Sequence, residues 1–233
     1  MRRGLLFRSD VMTGLTDEDK NYLDQVGFLA IVELRSSDEI DLYPNHWVNQ
    51  RKVAHHSVDY TMESLIETMM GQDGEFLGME ALYREMPERL TAQLTVYFQQ
   101  LLEGRAPIVV NCSAGQDRTG LAAALLLTAL GVSRDVILQD YLQSTAFRRV
   151  LVERGSVDLD AAAEHNWFAR MMLAHGNHEG TRAEPLMTSD GKPFLTYALE
   201  HIEHAHGSID AYLEAQLGVD DSARRKLKSM YLE

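Results

Sequence analysis

A single cysteine, Cys112, lies in a stretch whose residue types could bind and attack a phosphate ester. Arg118 follows six positions later and Thr119 comes next, so a thiol, a guanidinium and a hydroxyl share one short segment. An arginine presents a planar fork that can grip two phosphate oxygens, and the thiolate is the nucleophilic form of cysteine. This spacing predicts a phosphate cradle with a nucleophile at its floor, and hence a cysteine-dependent phosphatase.

The sequence around Cys112 favours a strand, a loop and a helix in that order. The β-branched run 108–111 leads into the loop, Gly115 permits a turn, and a helix-forming stretch follows from Leu121. Backbone N–H groups of residues 113–118 can point inward, and the dipole of the next helix adds partial positive charge. A cysteine that merely ends a core strand is the alternative, but the complete loop argues against it. We therefore assign phosphate binding to Ser113, Ala114, Gly115, Gln116, Asp117 and Arg118.

Composition predicts one globular domain over residues 1–233. The chain is 45% hydrophobic and 24% charged, which suits an α/β domain with a sizeable core. One cysteine excludes an internal disulfide framework, and Arg8 and Asp10 interrupt the first apolar run too early for a signal peptide. A cytoplasmic location is expected, with secretion lacking a classical signal peptide left open. No apolar stretch is long enough to span a bilayer.

Charge narrows the classes of partner. The net charge of −13 opposes binding to nucleic acid and stable association with anionic membranes. It does not oppose binding one phosphate in a locally positive pocket. The composition indicates no particular oligomeric state.

The pattern of apolar runs and turn residues predicts an α/β fold with a helix-rich C-terminal half. Strands are predicted over 5–7, 28–34, 53–58 and 108–111. Helices are predicted over 16–26, 61–70, 87–102, 121–130 and 133–142, with a glycine-rich break at 71–74. From residue 145 onward the chain is predicted to be helical except for 176–193. Strands that alternate with helices indicate a mainly parallel sheet flanked by helices, with the site at the carboxyl end of a strand.

Five segments occur in this order in a bacterial group of atypical tyrosine phosphatases, which the chain resembles over nearly its whole length. They are Leu6-Phe7-Arg8-Ser9-Asp10, residues 32–39, residues 112–120, Asp140-Tyr141-Leu142-Gln143-Ser144 and residues 207–213. The resemblance implies a tyrosine phosphatase-like fold and a cysteinyl-phosphate mechanism without a cofactor. It implies a phosphorylated protein or a small phosphate monoester as partner, and we favour phosphotyrosine. A phosphoinositide phosphatase, a non-catalytic phosphate-binding module and a sulfur-transfer or arsenate-reducing enzyme are the alternatives.

The implied mechanism gives each loop residue a role. Cys112 attacks phosphorus, Arg118 and the loop amides hold the equatorial oxygens, and Thr119 can hydrogen-bond the cysteine sulfur. A general acid must protonate the leaving oxygen and then activate water. Asp117 matches the family residue for this role and is favoured. Asp59 follows a predicted strand, where other tyrosine phosphatases place a mobile acid loop, and is the alternative.

The chain departs from the family pattern at three points. Asn111 stands where a histidine usually precedes the nucleophile, and we expect its amide to organise the loop. Gln116 replaces a lysine, which weakens the case for multiply phosphorylated inositol lipids. An Asn-Phe-Arg-Asp-like segment normally lies upstream of Leu6, so it is expected either to precede Met1 or to be absent.

Two pairs of charged residues are expected to brace the cradle: Arg35 with Glu39, and Arg8 with Asp10. The nine histidines do not indicate a metal site, because neither the group around His175, His178 and Glu179 nor that of His201, His204 and His206 has the spacing of a metal centre. Residues 145–175 form a possible helical lid. The apolar stripe of Trp167, Phe168, Met171 and Met172 is expected to pack against the domain, with a lid over the site as its alternative function.

Overall fold

A single parallel sheet lies at the centre of the molecule in the computed structural model, which describes residues 1–67, 73, 75, 77–150, 153, 157–175 and 183–233. Its strands are β1 (Leu6–Ser9), β2 (Ala30–Glu33), β3 (Ala54–Ser57) and β4 (Ile108–Asn111). The strand order is β1-β4-β2-β3, and Ile108 of β4 pairs with Leu6 on one side and Ala30 on the other. The predicted parallel α/β sheet is confirmed.

Helices cover the sheet and make up most of the C-terminal half. They are α1 (Asp17–Val26), α2 (Ser37–Leu42), α3 (His46–Asn49), α4 (Met62–Ile66), α5 (Met79–Arg89), α6 (Thr91–Leu102), α7 (Asp117–Leu130), α8 (Arg134–Phe147), α9 (Leu159–Ala162), α10 (Trp167–His175), α11 (Phe194–His206), α12 (Ile209–Leu217) and α13 (Asp221–Tyr231). Helix α1 begins and ends where its sequence signals predict. Thr16 caps it in a reciprocal capping box, and Gly27 ends it in the left-handed conformation.

Both faces of the sheet are covered, so its two central strands are buried throughout. Val32 and Val110 belong to the main core, which also contains buried residues of α5–α8 and α11–α13. Ile31 and Val109 point to the opposite face, where they meet Phe28 and a smaller cluster that includes α3. This alternation is what a strand buried on both faces requires.

The helix predicted from Pro87 to residue 102 is wrong in its boundaries. Pro87 lies within α5, and a separate helix, α6, begins at Thr91 after a break at Leu90. Proline cannot donate a backbone hydrogen bond, but the carbonyl oxygen of Pro87 accepts two side-chain hydrogen bonds. It accepts hydrogen bonds from Thr91 Oγ1 at 3.1 Å and from Tyr212 Oη at 2.7 Å. The bond from Thr91 is local, whereas the bond from Tyr212 is a tertiary contact that holds Pro87 inside α5 despite the helix-start preference of proline.

Further boundaries differ from prediction, most clearly in two helices. The helix predicted over 133–142 continues to Phe147. The helix predicted over 61–70 is observed as α4, which begins at Met62 and ends at Ile66. Residues 68–70 and most of the predicted glycine-rich break lie outside the described residues, as do His178 and Glu179.

The helices α9 and α10 pack on the carboxyl-edge side of the sheet. Ala169 is fully buried there with Val11 and Tyr43, and Phe168 and Met172 are partly buried against them. Asn166 Nδ2 donates to the backbone oxygen of Asp38 at 2.9 Å. Two residues of the predicted apolar stripe, Phe168 and Met172, therefore pack against the domain next to α2. None of the described helices combines the length and apolar character needed to cross a membrane.

Candidate active site

The loop that follows β4 lies at the carboxyl edge of the sheet, between the ends of β1 and β2. Both neighbours hold its root: Leu34 N donates to Asn111 O at 2.8 Å, and Val11 N donates to Ser113 O at 3.0 Å. Cys112 is 1% exposed at the floor of this loop and carries a free thiol. The loop then enters α7, so its backbone N–H groups lie at the positive end of a fourteen-residue helix.

Gly115 lets the loop pass directly over the end of β1. Its φ is +65°, and a Cβ atom there would lie 2.8 Å from both Asp10 N and Ser9 O. Arg8 braces the loop from the same strand, since its Nη2 donates to Gly115 O at 2.8 Å and its Nη1 pairs with Asp140 at 3.0 Å. The predicted pairing of Arg8 with Asp10 is therefore wrong. Asp10 accepts from Ser9 Oγ, and burial raises the pKa of its carboxyl.

Arg118 is held by Glu39 in a two-pronged ion pair. Arg118 Nη1 donates to Glu39 Oε2 at 2.6 Å and Nη2 donates to Oε1 at 2.7 Å, with the carboxylate fully buried. Burial alone would raise the pKa of Glu39, but the Arg118 guanidinium and the surrounding hydrogen bonds lower it to about 2. The same pair raises the pKa of Arg118 well above its ordinary range despite burial. The pair therefore stays ionised and fixes the plane of the guanidinium.

Glu39 reaches Arg118 because of a capping box at the start of α2. Ser36 N donates to Glu39 Oε2 at 2.8 Å, and the Ser36 hydroxyl accepts from Glu39 N. Ser113 Oγ adds a bond of 2.5 Å to Glu39 Oε1. One carboxylate thus ties the helix start, the loop and the arginine together.

The sequence had suggested that Arg35 pairs with Glu39, and this prediction is wrong. Arg35 pairs with Glu33. Its Nε and Nη2 each lie 2.8 Å from a Glu33 oxygen, and Nη1 donates to Tyr43 O at 2.7 Å. Asn111 Nδ2 donates to Glu33 Oε1 at 2.8 Å. The asparagine therefore organises the strand beneath the loop, and its bond goes to β2 instead of the loop itself. The reason is register, because Glu33 and Asn111 are paired positions of adjacent strands.

Arg118 keeps hydrogen-bonding capacity for a ligand. Its Nη1 also reaches Leu34 O and Tyr60 Oη, at 3.2 Å and 2.7 Å. Of the five N–H donors of the guanidinium, Nε–H and one Nη2–H have no partner among residues that the structure describes. Two such donors are what bidentate binding of a phosphate needs. Tyr60 was not identified from the sequence; burial raises the pKa of its hydroxyl to about 12.

A buried tyrosine, Tyr83, holds Asp117 and is itself hydrogen-bonded to Tyr141. Tyr83 Oη donates to Asp117 Oδ1 at 2.5 Å, and the hydroxyls of Tyr83 and Tyr141 lie 2.6 Å apart. Burial, together with the neighbouring Asp117 charge, raises the pKa of Tyr83 well above its ordinary range. Tyr83 therefore stays protonated and can act only as a donor to the carboxylate. The sequence signal for Tyr141 was its place in the 140–144 motif, whereas nothing local marked Tyr83.

The other candidate acid, Asp59, is exposed and lies beside the start of α2. Its Oδ1 accepts a hydrogen bond of 3.4 Å from Ser37 Oγ. The next residue, Tyr60, contacts Arg118, so the segment after β3 reaches the same edge of the sheet. Asp117 thus lies where the loop enters α7, whereas Asp59 contacts the start of α2.

Thr119 and Gln116 differ in their partners. Thr119 Oγ1 is buried without a hydrogen-bond partner in the described part of the chain, so the predicted bond to the Cys112 sulfur is not formed in this state. Gln116 is buried and contacts two residues near the end of α8: its Oε1 accepts from Arg148 at 2.9 Å, and its Nε2 donates to Thr145 at 3.3 Å.

No cluster of metal-ligating side chains occurs among the described residues. His201 and His206 lie 3.4 Å and 3.1 Å from the carboxylate of Glu88, where they join α11 to α5. These contacts account for the two histidines through helix packing.

The fold and this site define an enzyme class. A thiol at the root of a loop that opens a helix, with an arginine six residues later fixed by a buried glutamate, is the architecture of a cysteine-dependent phosphatase. The family model described as "Tyrosine phosphatase family" matches residues 1–233, so the chain belongs to the tyrosine phosphatase family. The predicted family, fold class and phosphatase activity are confirmed.

Three bacterial relatives agree with this membership. The chain is 28% identical to the triple specificity protein phosphatase PtpB of Mycobacterium tuberculosis, over all of this chain and 92% of the relative. It is 29% identical to a Cupriavidus necator protein classed provisionally as a tyrosine-protein phosphatase, over 94% of this chain and 77% of that protein. It is 28% identical to a tyrosine-protein phosphatase of Nostoc commune, over 65% of this chain and 50% of the relative.

Proposed function

We propose that the chain hydrolyses phosphate monoesters through a cysteinyl-phosphate at Cys112, with phosphotyrosine as its preferred substrate. The observation that carries this proposal is the arginine. Arg118 is locked in plane by Glu39 at the mouth of the loop and keeps two N–H donors for phosphate oxygens. A side chain fixed in this way stabilises developing charge without reorganising during the reaction.

In the first step the Cys112 thiolate attacks phosphorus, the P–S bond forms, and the bond from phosphorus to the ester oxygen breaks. Arg118 and the amides of residues 113–118 bind the three equatorial oxygens. In the second step water attacks the cysteinyl-phosphate, which releases inorganic phosphate and regenerates the thiolate. We propose that Thr119, whose buried hydroxyl is unpartnered in the described structure, donates to the departing sulfur in that step.

We propose Asp117 as the acid that protonates the leaving oxygen and then accepts a proton from water. Its support is positional. Tyr83 holds Oδ1 at 2.5 Å, which leaves Oδ2 without a bond to any described residue and orients the carboxyl beside the loop. Asp59 stays the alternative, because its segment also reaches Arg118 through Tyr60.

We propose that residues 145–175 form a lid. A cavity of about 190 Å³ adjoins the loop and is lined by Ser113 and Ala114 on one side and by Phe168 and Met172 of α10 on the other. Since Cys112 is 1% exposed, substrate entry requires movement above the loop. A hydrophobic contact such as this one can open at modest cost because it buries few fully enclosed side chains.

The partners are phosphorylated substrates, in keeping with the family. We further propose that the substrate is a phosphoprotein and that the enzyme works in the cytoplasm. The support is chemical: an unpaired nucleophilic thiol must stay reduced to act.

Hydrolysis of p-nitrophenyl phosphate tests the proposal. Cys112→Ser should abolish turnover, and Arg118→Lys should lower kcat/KM about 10²–10³-fold, because lysine keeps the charge but loses the planar fork. Arg134→Lys is the matched control, since Arg134 lies on α8 in a partly exposed pair with Glu203. Undiminished activity in the Cys112 variant would refute the nucleophile assignment.

A further inference from the structure

Gln116 anchors a cation at the rim of the phosphate loop. Its buried amide oxygen accepts a hydrogen bond of 2.9 Å from Arg148 Nη1, while its amide nitrogen is bonded to Thr145. Arg148 directly follows the last residue of α8, Phe147. The neutral loop residue therefore positions a guanidinium brought from a different element.

Glu153 supports the guanidinium from the other side, with its two oxygens 3.0 Å and 3.1 Å from Arg148 Nε. Nε and Nη1 are thus committed, but Nη2 has no hydrogen-bond partner within the described ranges. Its side chain is 26% exposed, so a ligand can reach it. A partly desolvated arginine with free donors binds anions more strongly than a fully solvated one.

The space beside Arg148 is continuous with the loop. Arg148 lines the cavity of about 190 Å³ whose lining also includes Ser113 and Ala114. It also lines a second cavity of about 370 Å³, together with Ala114, Gly115 and Arg149. Arg148 is therefore placed where a substrate whose phosphate enters the loop would extend beyond it.

We infer that Arg148 is a specificity-determining residue that binds a second anionic group of the substrate, and that this group is an acidic side chain next to phosphotyrosine in a peptide. The inference rests on the proposed function. A peptide is favoured over an inositol lipid because the net charge of −13 opposes the extended surface of an anionic membrane more than a peptide with one or two acidic side chains. Gln116 stands where the family usually has a lysine, and Arg148 supplies a positive charge at the same rim of the loop.

The experiment compares two phosphotyrosine peptides of equal length, one with glutamates flanking the phosphotyrosine and one with alanines. In the unmodified chain the ratio of their kcat/KM values should favour the acidic peptide about tenfold or more, which is the worth of one charge-assisted bond. Arg148→Gln should bring the ratio close to one, and Arg148→Lys should keep part of the preference. Hydrolysis of p-nitrophenyl phosphate, which has a single anionic group, should change less than threefold in Arg148→Gln.

Arg134→Gln is the matched control, because it removes the same charge from the other end of α8, where Arg134 pairs with Glu203 and lines neither cavity. It should leave the ratio unchanged. An equal ratio of the two kcat/KM values in the unmodified chain and in Arg148→Gln, or an equal loss of the preference in Arg134→Gln, would overturn the inference. The inference would also be overturned if the unmodified chain preferred a soluble inositol bisphosphate to the acidic peptide and Arg148→Gln abolished that preference. Failure of the proposed function is distinguishable, because p-nitrophenyl phosphate would then not be hydrolysed at all.

Discussion

Replacing Glu39 with glutamine removes the charge that balances buried Arg118 while keeping nearly the same shape. The depression of the pKa of Glu39 from 4.5 to about 2 corresponds to about 3 kcal/mol of interaction that favours the ionised form. Coulomb attraction between unit charges about 4 Å apart gives about 4 kcal/mol at an effective dielectric constant of about 20. Breaking a buried pair by removing one partner costs about 3–5 kcal/mol. We therefore expect Glu39→Gln to lower the free energy of unfolding by about 3 kcal/mol at pH 7.

The pH dependence separates the charge from the shape. Because the folded pKa lies below the unfolded value, the contribution of Glu39 is fully present above about pH 4.5 and is lost as pH falls through about 2. Urea unfolding of both proteins at several pH values measures it. The difference between them should be largest near neutral pH and should shrink in acid.

Glu203→Gln is the control for the loss of an ion pair at the surface. Glu203→Gln breaks the partly exposed pair with Arg134 on the surface and should cost less than about 1 kcal/mol. A Glu39→Gln penalty as small as that of Glu203→Gln, or one that does not change with pH, would refute the reasoning that this ion pair organises the site.

Three further predictions concern the loop and its acid. If Asp117 protonates the leaving oxygen, Asp117→Asn should slow phosphotyrosine hydrolysis about 10²–10⁴-fold and affect p-nitrophenyl phosphate much less, since its leaving group needs no proton. Parallel rates of Asp59→Asn decide the assignment, because that variant will show the leaving-group dependence if Asp59 is the acid. Tyr83→Phe removes the 2.5 Å bond to Asp117 and should reproduce part of this leaving-group effect; equal losses on both substrates would contradict a role in orienting the acid. Gly115→Ala should destabilise the fold by more than about 1 kcal/mol in thermal or urea unfolding, because a Cβ atom would lie 2.8 Å from backbone atoms of β1 at a φ of +65°; an unchanged midpoint would contradict this packing.

The parts of the site that follow from sequence are those encoded locally. The strand before Cys112, the loop and α7 are specified within about 23 consecutive residues, so residue type and spacing suffice to predict them. The capping box that places Glu39 is equally local, with Ser36 and Glu39 three residues apart. Parallel strand order follows from the alternation of strands and helices.

The partners of these residues depend on tertiary structure that no local pattern reveals. Arg8 pairs with Asp140, which is 132 positions away, and not with nearby Asp10. Tyr83 reaches Asp117 from α5 across 34 positions. Pro87 lies inside a helix because a contact from α12 overrides its local preference. Long-range pairing of this kind is decided by packing of the whole core.

Trapping the covalent intermediate tests the central claim most directly. The protein is mixed with p-nitrophenyl phosphate, quenched in acid within one turnover, digested, and analysed by mass spectrometry. The peptide that contains Cys112 should gain the mass of one phosphoryl group, and the corresponding peptide of Cys112→Ser protein should not. Turnover of the same substrate with no phosphoryl group on Cys112, or with the group on another residue, would contradict a cysteinyl-phosphate mechanism.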